Sequence, residues 1–111
     1  MGKSYSLKQL EELSGGNKDF ISEIVNVFIS DIPLQLNELE KALREKNFAD
    51  LSKIAHKLKP SIDLFDVSAL KEAIRTIENN AKNNINSIGL PKLVEKVVVE
   101  LNRTLDEIKN R

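Results

Sequence analysis

Residues 48–65 read FADLSKIAHKLKPSIDLF, and this stretch decides the fold. Its apolar residues recur at intervals of three and four, which is the period of one face of an α-helix. Asn47 can cap the start of this helix with its side chain, and Asp50 in the first turn suits the positive end of the helix dipole. The pattern therefore predicts an amphipathic helix whose buried side comprises Phe48, Leu51, Ala55, Leu58, Ile62 and Phe65.

The stretch before it predicts another helix, which begins at Asn17 as a second capping residue. Pro33 lies in the middle of this pattern, but the apolar stripe resumes directly after it. Because proline removes a helical hydrogen bond and crowds the preceding turn, we expect a kink or a tight break near Pro33. The apolar side of this helix comprises Phe20, Ile21, Ile24, Val25, Phe28, Ile32, Leu36, Leu39 and Leu43.

Two further helices are predicted towards the C-terminus. Asp66 is a candidate cap for the first, which should end at a turn formed by Asn83 and Asn84. The second should start near Pro91, because proline is favoured in the first turn of a helix. Their buried sides comprise Val67, Leu70, Ile74, Ile77 and Ala81, and then Leu93, Val94, Val97, Val98, Leu101, Leu105 and Ile108.

The N-terminal segment predicts a short additional helix. Ser6 and Gln9 have the spacing of a capping box, and Gly15 with Gly16 can end the helix in the left-handed conformation. No strand-like alternation and no long linker appears in the 111 residues, a length that fits one compact domain. We therefore predict an all-α fold, an antiparallel four-helix bundle with the short helix at one end, and a single domain over residues 1–111.

The composition excludes several classes of protein. Seventeen Lys and Arg balance seventeen Asp and Glu, so charge alone would not attract nucleic acid or an anionic membrane. The chain has no cysteine, which excludes disulfides and thiolate chemistry and fits the cytoplasm. No apolar run reaches the roughly 20 residues needed to span a bilayer. Every predicted apolar helix face is used in the core of the bundle, so no apolar face is expected on the surface, and this favours a monomer.

The single histidine, His56, lies in the middle of the helix of residues 48–65. On a helical wheel it falls roughly 150° from the centre of the apolar stripe, so we expect its ring to face water. An exposed imidazole is largely neutral at pH 7 and is then a competent nucleophile. Lys59, one turn onward, could neutralise an anion there, and Lys53 and Lys57 would add a weaker field. A lone surface histidine is nevertheless most often an ordinary residue.

The sequence IAHKLKPS at residues 54–61 resembles the signature of histidine-phosphotransfer domains, often written A-H-x-L-K-G-S. The resemblance extends to FISDIP at residues 28–33 and to the start of the helix at Asn47, and it covers nearly the whole chain. The family fold is a four-helix bundle with an exposed reactive histidine. The resemblance thus implies the same fold that the helical stripes predict.

The resemblance also implies roles for individual residues. His56 matches the histidine that accepts the phosphoryl group, Lys59 the lysine that supports that group, and Ser61 the small hydroxyl residue near the end of the motif. Pro60 departs from the usual glycine and cannot donate a helical hydrogen bond to the carbonyl of His56, so we expect a local bend. Proline and glycine both lack a long side chain that would block access to the histidine. We therefore treat Pro60 as a variant of the motif.

The resemblance implies that the chain is a phosphoryl carrier between response-regulator receiver domains and a sensor or hybrid histidine kinase. It would not be an autonomous kinase, because the sequence has no glycine-rich nucleotide loop. We expect no cofactor and no metal site in the chain itself, because there is only one histidine and no ligand array beside it. The Mg²⁺ that the transfer needs would be held by the receiver.

The partner surface is predicted to include residues that surround the histidine or leave apolar area exposed: Ser52, Lys53, Lys57, Pro60 and Ile29. Partial burial under the short N-terminal helix is an equal alternative for Ile29. Two other functions stay open from the sequence. One is a bundle of the same fold that binds proteins without accepting phosphate, and the other is a helical bundle with an unrelated role, such as ligand storage.

Overall fold

The computed structural model describes residues 3–83 and 88–111, and within these ranges the chain is helical and contains no strand. The helices are α1 (Lys8–Ser14), α2 (Lys18–Arg44), α3 (Phe48–Leu64), α4 (Lys71–Lys82) and α5 (Leu90–Lys109). A short 3₁₀ turn, Ser68–Leu70, leads into α4. Asn83 follows α4 in a turn, whereas Asn84, the other half of the predicted turn, lies outside the described residues.

The four long helices form a closed bundle in which α2 packs on α3 and α5, and α4 packs on the same two helices. Ion pairs between α3 and the segment of α4 fix their relative direction: Lys59 pairs with Glu78, Asp63 with Arg75, and Asp66 with Lys71. As the residue number rises along α3 it falls along α4, so the two helices are antiparallel. The predicted all-α bundle is confirmed, and its two diagonal pairs are α3 with α5 and α2 with α4.

The core is almost entirely aliphatic, as the composition predicts. The predicted faces of α3, α4 and α5 are buried except for Phe48, Leu93 and Val98, which are half-buried at the edge of the core. Two aromatic rings, Phe28 of α2 and Phe65 after α3, stack with their centroids 4.1 Å apart. Dense packing of this kind fixes the rotation of each helix about its own axis. The fully buried members include Leu39, Leu51, Ala55, Leu58, Ile62, Val67, Leu70, Ile74, Ile77, Val97 and Leu101.

Helix α2 is continuous from Lys18 to Arg44 although Pro33 lies inside it. The predicted alternative of a break is therefore wrong, while a kink stays a prediction. Proline removes one hydrogen bond of the helical ladder, but Ile32 and Leu36 on either side are both buried in the core. Burial of these flanking side chains stabilises the helix by more than the lost bond costs.

The segment before α1 is bound to the rest of the bundle, and the predicted capping box is wrong. The residue at the cap position is Leu7, which makes no side-chain cap. Ser6 donates its backbone N–H to the carbonyl of Phe65 at 2.8 Å, and Ser4 hydrogen-bonds through its hydroxyl to Thr104 and through its backbone N–H to Glu107 of α5. The capping box predicts hydrogen bonds within the first turn of α1. The observed bonds instead hold the N-terminal backbone against distant parts of the chain.

Asp66 ends α3 and does not cap α4, which corrects the sequence-based assignment. Its φ is +49°, and the N–H of Val67 donates to the carbonyl of Ile62 at 2.9 Å, the pattern of a Schellman motif. The carboxylate of Asp66 accepts hydrogen bonds from the hydroxyl of Ser68 and the ammonium of Lys71. Aspartate tolerates the left-handed conformation better than most residues, so it serves where glycine is more usual.

Helix α2 leaves an apolar stripe in solvent, which corrects the expectation that no such face is left over. Phe20 was predicted to be buried but is 43% exposed, and Val27 and Leu34 are 50% and 62% exposed. The three residues recur every seven positions and therefore lie on one side of the helix. We call them the α2 stripe. The monomer was predicted because no apolar helix face was expected on the surface, and that reason no longer applies. The oligomeric state stays a prediction.

Lys46 offers a test of the helix-end geometry. It has a φ of +54° between α2 and α3, where the N–H of Asn47 donates to the carbonyl of Ala42. Replacing Lys46 by glycine relieves a left-handed conformation that costs about 1–2 kcal/mol, and the freer unfolded chain offsets roughly 0.4–1 kcal/mol of this gain. We expect Lys46→Gly to raise the free energy of unfolding by about 0.5–1 kcal/mol in urea titrations.

Lys96→Gly is the matched control, because Lys96 is exposed in the interior of α5. The same chemical change should there lower the free energy of unfolding by about 0.5–1 kcal/mol. A loss of stability in Lys46→Gly similar to that of Lys96→Gly would contradict the assigned left-handed conformation.

Candidate functional site

His56 lies in the middle of α3 with its side chain 70% exposed. Ala55 and Leu58 beside it are fully buried, and their burial turns the opposite side of α3, and with it the imidazole, towards solvent. The exposure predicted from the helical wheel is therefore confirmed. A partner of the protein can reach the ring without any rearrangement of the core.

Glu78 of α4 connects the histidine to the lysine. One carboxylate oxygen, Oε2, lies 2.6 Å from Nδ1 of His56, and the other, Oε1, lies 2.7 Å from Nζ of Lys59. The side chains of Glu78 and Lys59 are only 20% and 25% exposed. The three side chains form one network across the junction of α3 and α4, with the imidazole as its most exposed member.

The ionisation of Glu78 determines which ring nitrogen carries the proton. The hydrogen bond from Lys59 lowers the pKa of the Glu78 carboxyl below its usual value, partial burial opposes this shift, and the contact with His56 lowers the pKa further. The carboxylate is therefore ionised at neutral pH and can only accept hydrogen bonds. Nδ1 of His56 must then be the donor, and Nε2 is the ring nitrogen that Glu78 does not engage.

A groove beside the imidazole runs along the junction of α3 and α4. Ala49 and Ala81 keep it open because their side chains are small, and the hydroxyl of Ser52 donates to the backbone carbonyl of Glu78 at 3.4 Å. The lysines of the groove are exposed cations close to the ring. Its full lining is Ala49, Ser52, Lys53, His56, Lys57, Glu78, Ala81 and Lys82.

Of the residues predicted for the site, His56 and Lys59 meet at Glu78, and Ser52, Lys53 and Lys57 line the groove. Pro60 is exposed inside α3, which continues past it to Leu64, and a bend there stays a prediction. Ser61 is half-buried and takes no part in the network, so its supporting role also stays a prediction. Ile29 is half-buried and packs against the core, and its part in docking stays a prediction.

Sequence reasoning missed Glu78, the residue that organises the site. Glu78 directly follows the buried Ile77 and therefore lies at the edge of the apolar face of α4. Edge positions of neighbouring helices can meet, but which pairs meet depends on the axial register of α3 against α4. The sequence showed only that an acidic residue lies at the edge of the apolar face of α4. It did not show which residue of α3 would pair with it.

Two kinds of feature are absent from the part of the chain that the structure describes. Within residues 3–83 and 88–111, no three histidine or carboxylate side chains converge into a group that could ligate a metal ion. In the same ranges no helix combines the length and the apolar character needed to cross a bilayer.

Comparison with models of protein families matches the Hpt domain over residues 23–111, which is most of the chain. The chain belongs to the Hpt domain family. The match includes all of α3 and α4 and therefore the complete His56, Lys59 and Glu78 network, whereas α1 precedes it. Hpt domains act in histidine phosphotransfer within phosphorelays. Comparisons with curated proteins and with solved structures gave no match.

The proton on Nδ1 of His56 can be tested by NMR. At a pH of about 9, where an ordinary imidazole is neutral, we expect ¹⁵N shifts and long-range ¹H couplings of the Nδ1–H tautomer. Glu78→Ala removes the acceptor, and the exposed ring should shift towards the Nε2–H form that an unrestrained histidine side chain favours in water. Glu72→Ala, an exposed glutamate of the same helix, should leave the tautomer unchanged. A native protein with Nε2–H would contradict the geometry.

Proposed function

We propose that this Hpt domain carries a phosphoryl group on Nε2 of His56 and exchanges it with the aspartate of response-regulator receiver domains. One observation carries the proposal: the exposed imidazole has its Nδ1 occupied by Glu78, while Nε2 is not engaged by it. A neutral ring held in this tautomer presents the lone pair of Nε2 as the nucleophile. The family membership supplies the class of reaction.

In the proposed step, the lone pair of Nε2 attacks the phosphorus of the acyl phosphate on the receiver. The N–P bond forms as the O–P bond breaks, and the aspartate leaves as a carboxylate. The ring then carries its proton on Nδ1 and the phosphoryl group on Nε2, so it is positively charged. Glu78 accepts the hydrogen bond from Nδ1–H at this stage and stabilises that charge. The reverse sequence returns the phosphoryl group to a receiver.

The chain supplies a nucleophile and cations, which is only part of what phosphoryl transfer needs. Lys59 is one turn from His56, and Lys53, Lys57 and Lys82 border the groove as further cations for the phosphoryl oxygens. We infer that the receiver contributes the divalent ion and the acidic pocket that holds it. The chain is then a substrate and carrier in this exchange, with no kinase activity of its own, and a sensor or hybrid kinase is its source of phosphoryl groups.

We assign the docking surface to the side of the bundle formed by α2 and α3. Glu38 and Lys41 of α2 line a groove together with Lys53 and Lys57 of α3. Leu34 lies one turn before Glu38 on the same side of α2, so the α2 stripe extends this surface along the bundle. Glu38, Glu45 and Asp50 balance the three lysines of this groove, so its net charge does not select a partner. The exposed apolar stripe suits a partner with an apolar contact area, and Lys53 and Lys57, which also line the groove beside His56, suit an acidic active site.

The cytoplasm is the compartment in which we place the exchange. Receiver domains and kinase phosphodonor sites work there, and a chain without cysteine has no thiols to protect or to oxidise. The alternative function is an Hpt-fold module that binds receivers without accepting phosphate. It shares the docking surface with the carrier, so binding alone does not separate the two, and the test must follow the phosphoryl group.

The decisive test mixes the protein with a receiver that carries a labelled phosphoryl group, in the presence of Mg²⁺. We expect acid-labile and base-stable label on this chain, because that is the stability of phosphohistidine. His56→Gln removes the nucleophile from an exposed position and should abolish the label while preserving the helical circular-dichroism spectrum. Label of the same amount on His56→Gln, or none on the native chain across a broad panel of receivers, would exclude the carrier.

The docking surface has its own test in Leu34→Asp. This substitution removes the apolar contact of an exposed residue, which is worth about 1.5–3 kcal/mol when fully buried, so the half-saturating receiver concentration should rise about tenfold. The limiting transfer rate should not change, since Leu34 is outside the His56 network. Val99→Asp is the matched control, because Val99 is 61% exposed on α5, the helix diagonal to α3. Equal effects of the two variants would refute the assignment.

A further inference from the structure

We propose that Glu78 competes with the phosphoryl group for Lys59, and that this competition lowers the phosphoryl occupancy of His56 and favours transfer away from it. The inference rests on the proposed carrier function and adds a determinant of its equilibrium. In the unphosphorylated chain, Nζ of Lys59 lies 2.7 Å from Oε1 of Glu78. The cation best placed to support a phosphoryl group is therefore already paired with an anion of the same molecule.

The pairing of Lys59 is a property of the folded site and not of a mobile surface chain. The side chain of Lys59 is only 25% exposed, whereas typical lysines are mostly in solvent. Both carboxylate oxygens of Glu78 are in use, because Oε2 contacts Nδ1 of His56 at 2.6 Å. The lowered pKa of Glu78 agrees with a pair in which the charged form is favoured.

Phosphorylation of Nε2 would add a group with nearly two negative charges on the side of the ring opposite Glu78. Two arrangements of Lys59 are then available. If Lys59 stays with Glu78, the phosphoryl oxygens lose their nearest cation. If Lys59 turns to the phosphoryl group, Glu78 keeps only its contact with His56. In either arrangement one of the two anions is left without Lys59, so Lys59 stabilises the phosphorylated state by less than it would if Glu78 were uncharged, and this difference opposes occupancy.

The other charges near the ring do not cancel this effect. Lys53, Lys57 and Lys82 are exposed, and their interactions with either anion are weakened by solvent and salt. Arg75, one turn before Glu78, is itself paired with Asp63 at 2.8 Å. Lys59 is thus the cation for which the carboxylate and the phosphoryl group compete most directly.

The experiment measures how the phosphoryl group partitions between the native chain and a receiver at equilibrium, approached from phosphorylated receiver and from phosphorylated Hpt domain. Glu78→Gln keeps the size of the side chain and an oxygen that can accept from Nδ1, but it removes the charge that holds Lys59. We expect the equilibrium constant to shift towards phosphorylated His56 by about fivefold. The forward and reverse rates should both fall, because Glu78 also stabilises the positive charge that develops on the ring during transfer. A shift of the equilibrium away from phosphorylated His56 would show that this stabilisation outweighs the competition, and it would refute the inference.

Glu72→Gln is the matched control, since it removes the same charge from an exposed position on the same helix and should leave the partition unchanged. A purely structural role for Glu78 would change both rates but not their ratio. The competition also predicts coupling: in a Lys59→Gln background, Glu78→Gln should shift the partition much less than it does in the native chain.

The outcomes separate this inference from the proposed function. If the native chain takes up no label from any receiver, the carrier function itself fails. If the native chain is labelled normally but Glu78→Gln partitions like Glu72→Gln, only the competition is refuted. An equal shift with and without Lys59 would also refute it, because the effect would then come from direct repulsion between the carboxylate and the phosphoryl group.

Discussion

The antiparallel packing of α3 against α4 is the constraint on which the rest of the molecule depends. Leu58 and Ile62 on one helix and Ile74 and Ile77 on the other are completely buried, and their burial fixes both the rotation and the axial register of the pair. With this register, Glu78 lies opposite His56 and Lys59. The polar network is therefore a consequence of apolar packing, which is the larger source of stability.

The fold could be predicted because it depends on periodic patterns. The spacing of apolar residues in α3, α4 and α5 determines which side of each helix is buried, and short connections favour antiparallel neighbours. The exposure of His56 follows from the same pattern, since Ala55 and Leu58 are buried beside it. The family resemblance of residues 54–61 added a chemical role that periodicity alone does not provide.

The errors and omissions come from interactions between segments that are distant in the sequence. Ser6 has the spacing of a capping box, but its backbone is bound to the carbonyl of Phe65, which no local rule includes. Phe20 fits the apolar stripe of α2, yet its side chain is 43% exposed in the assembled bundle. Glu78 could not be paired with His56 because the register of two helices depends on how complete side chains interdigitate. Local patterns specify elements, whereas contacts between elements need the assembled bundle.

The N-terminal segment brings the two ends of the described chain together. The backbone N–H of Ser4 donates to the carboxylate of Glu107 at 2.8 Å, and its hydroxyl pairs with Thr104, so the first described residues run beside the last turns of α5. Ser6 is bound at Phe65, which lies about 13 Å along α3 from His56, so both ends lie near the end of α3 and not beside the exposed imidazole. Tags or neighbouring domains joined at either end would emerge from one pole and leave the groove accessible, and a short peptide between the ends could close the backbone into a ring.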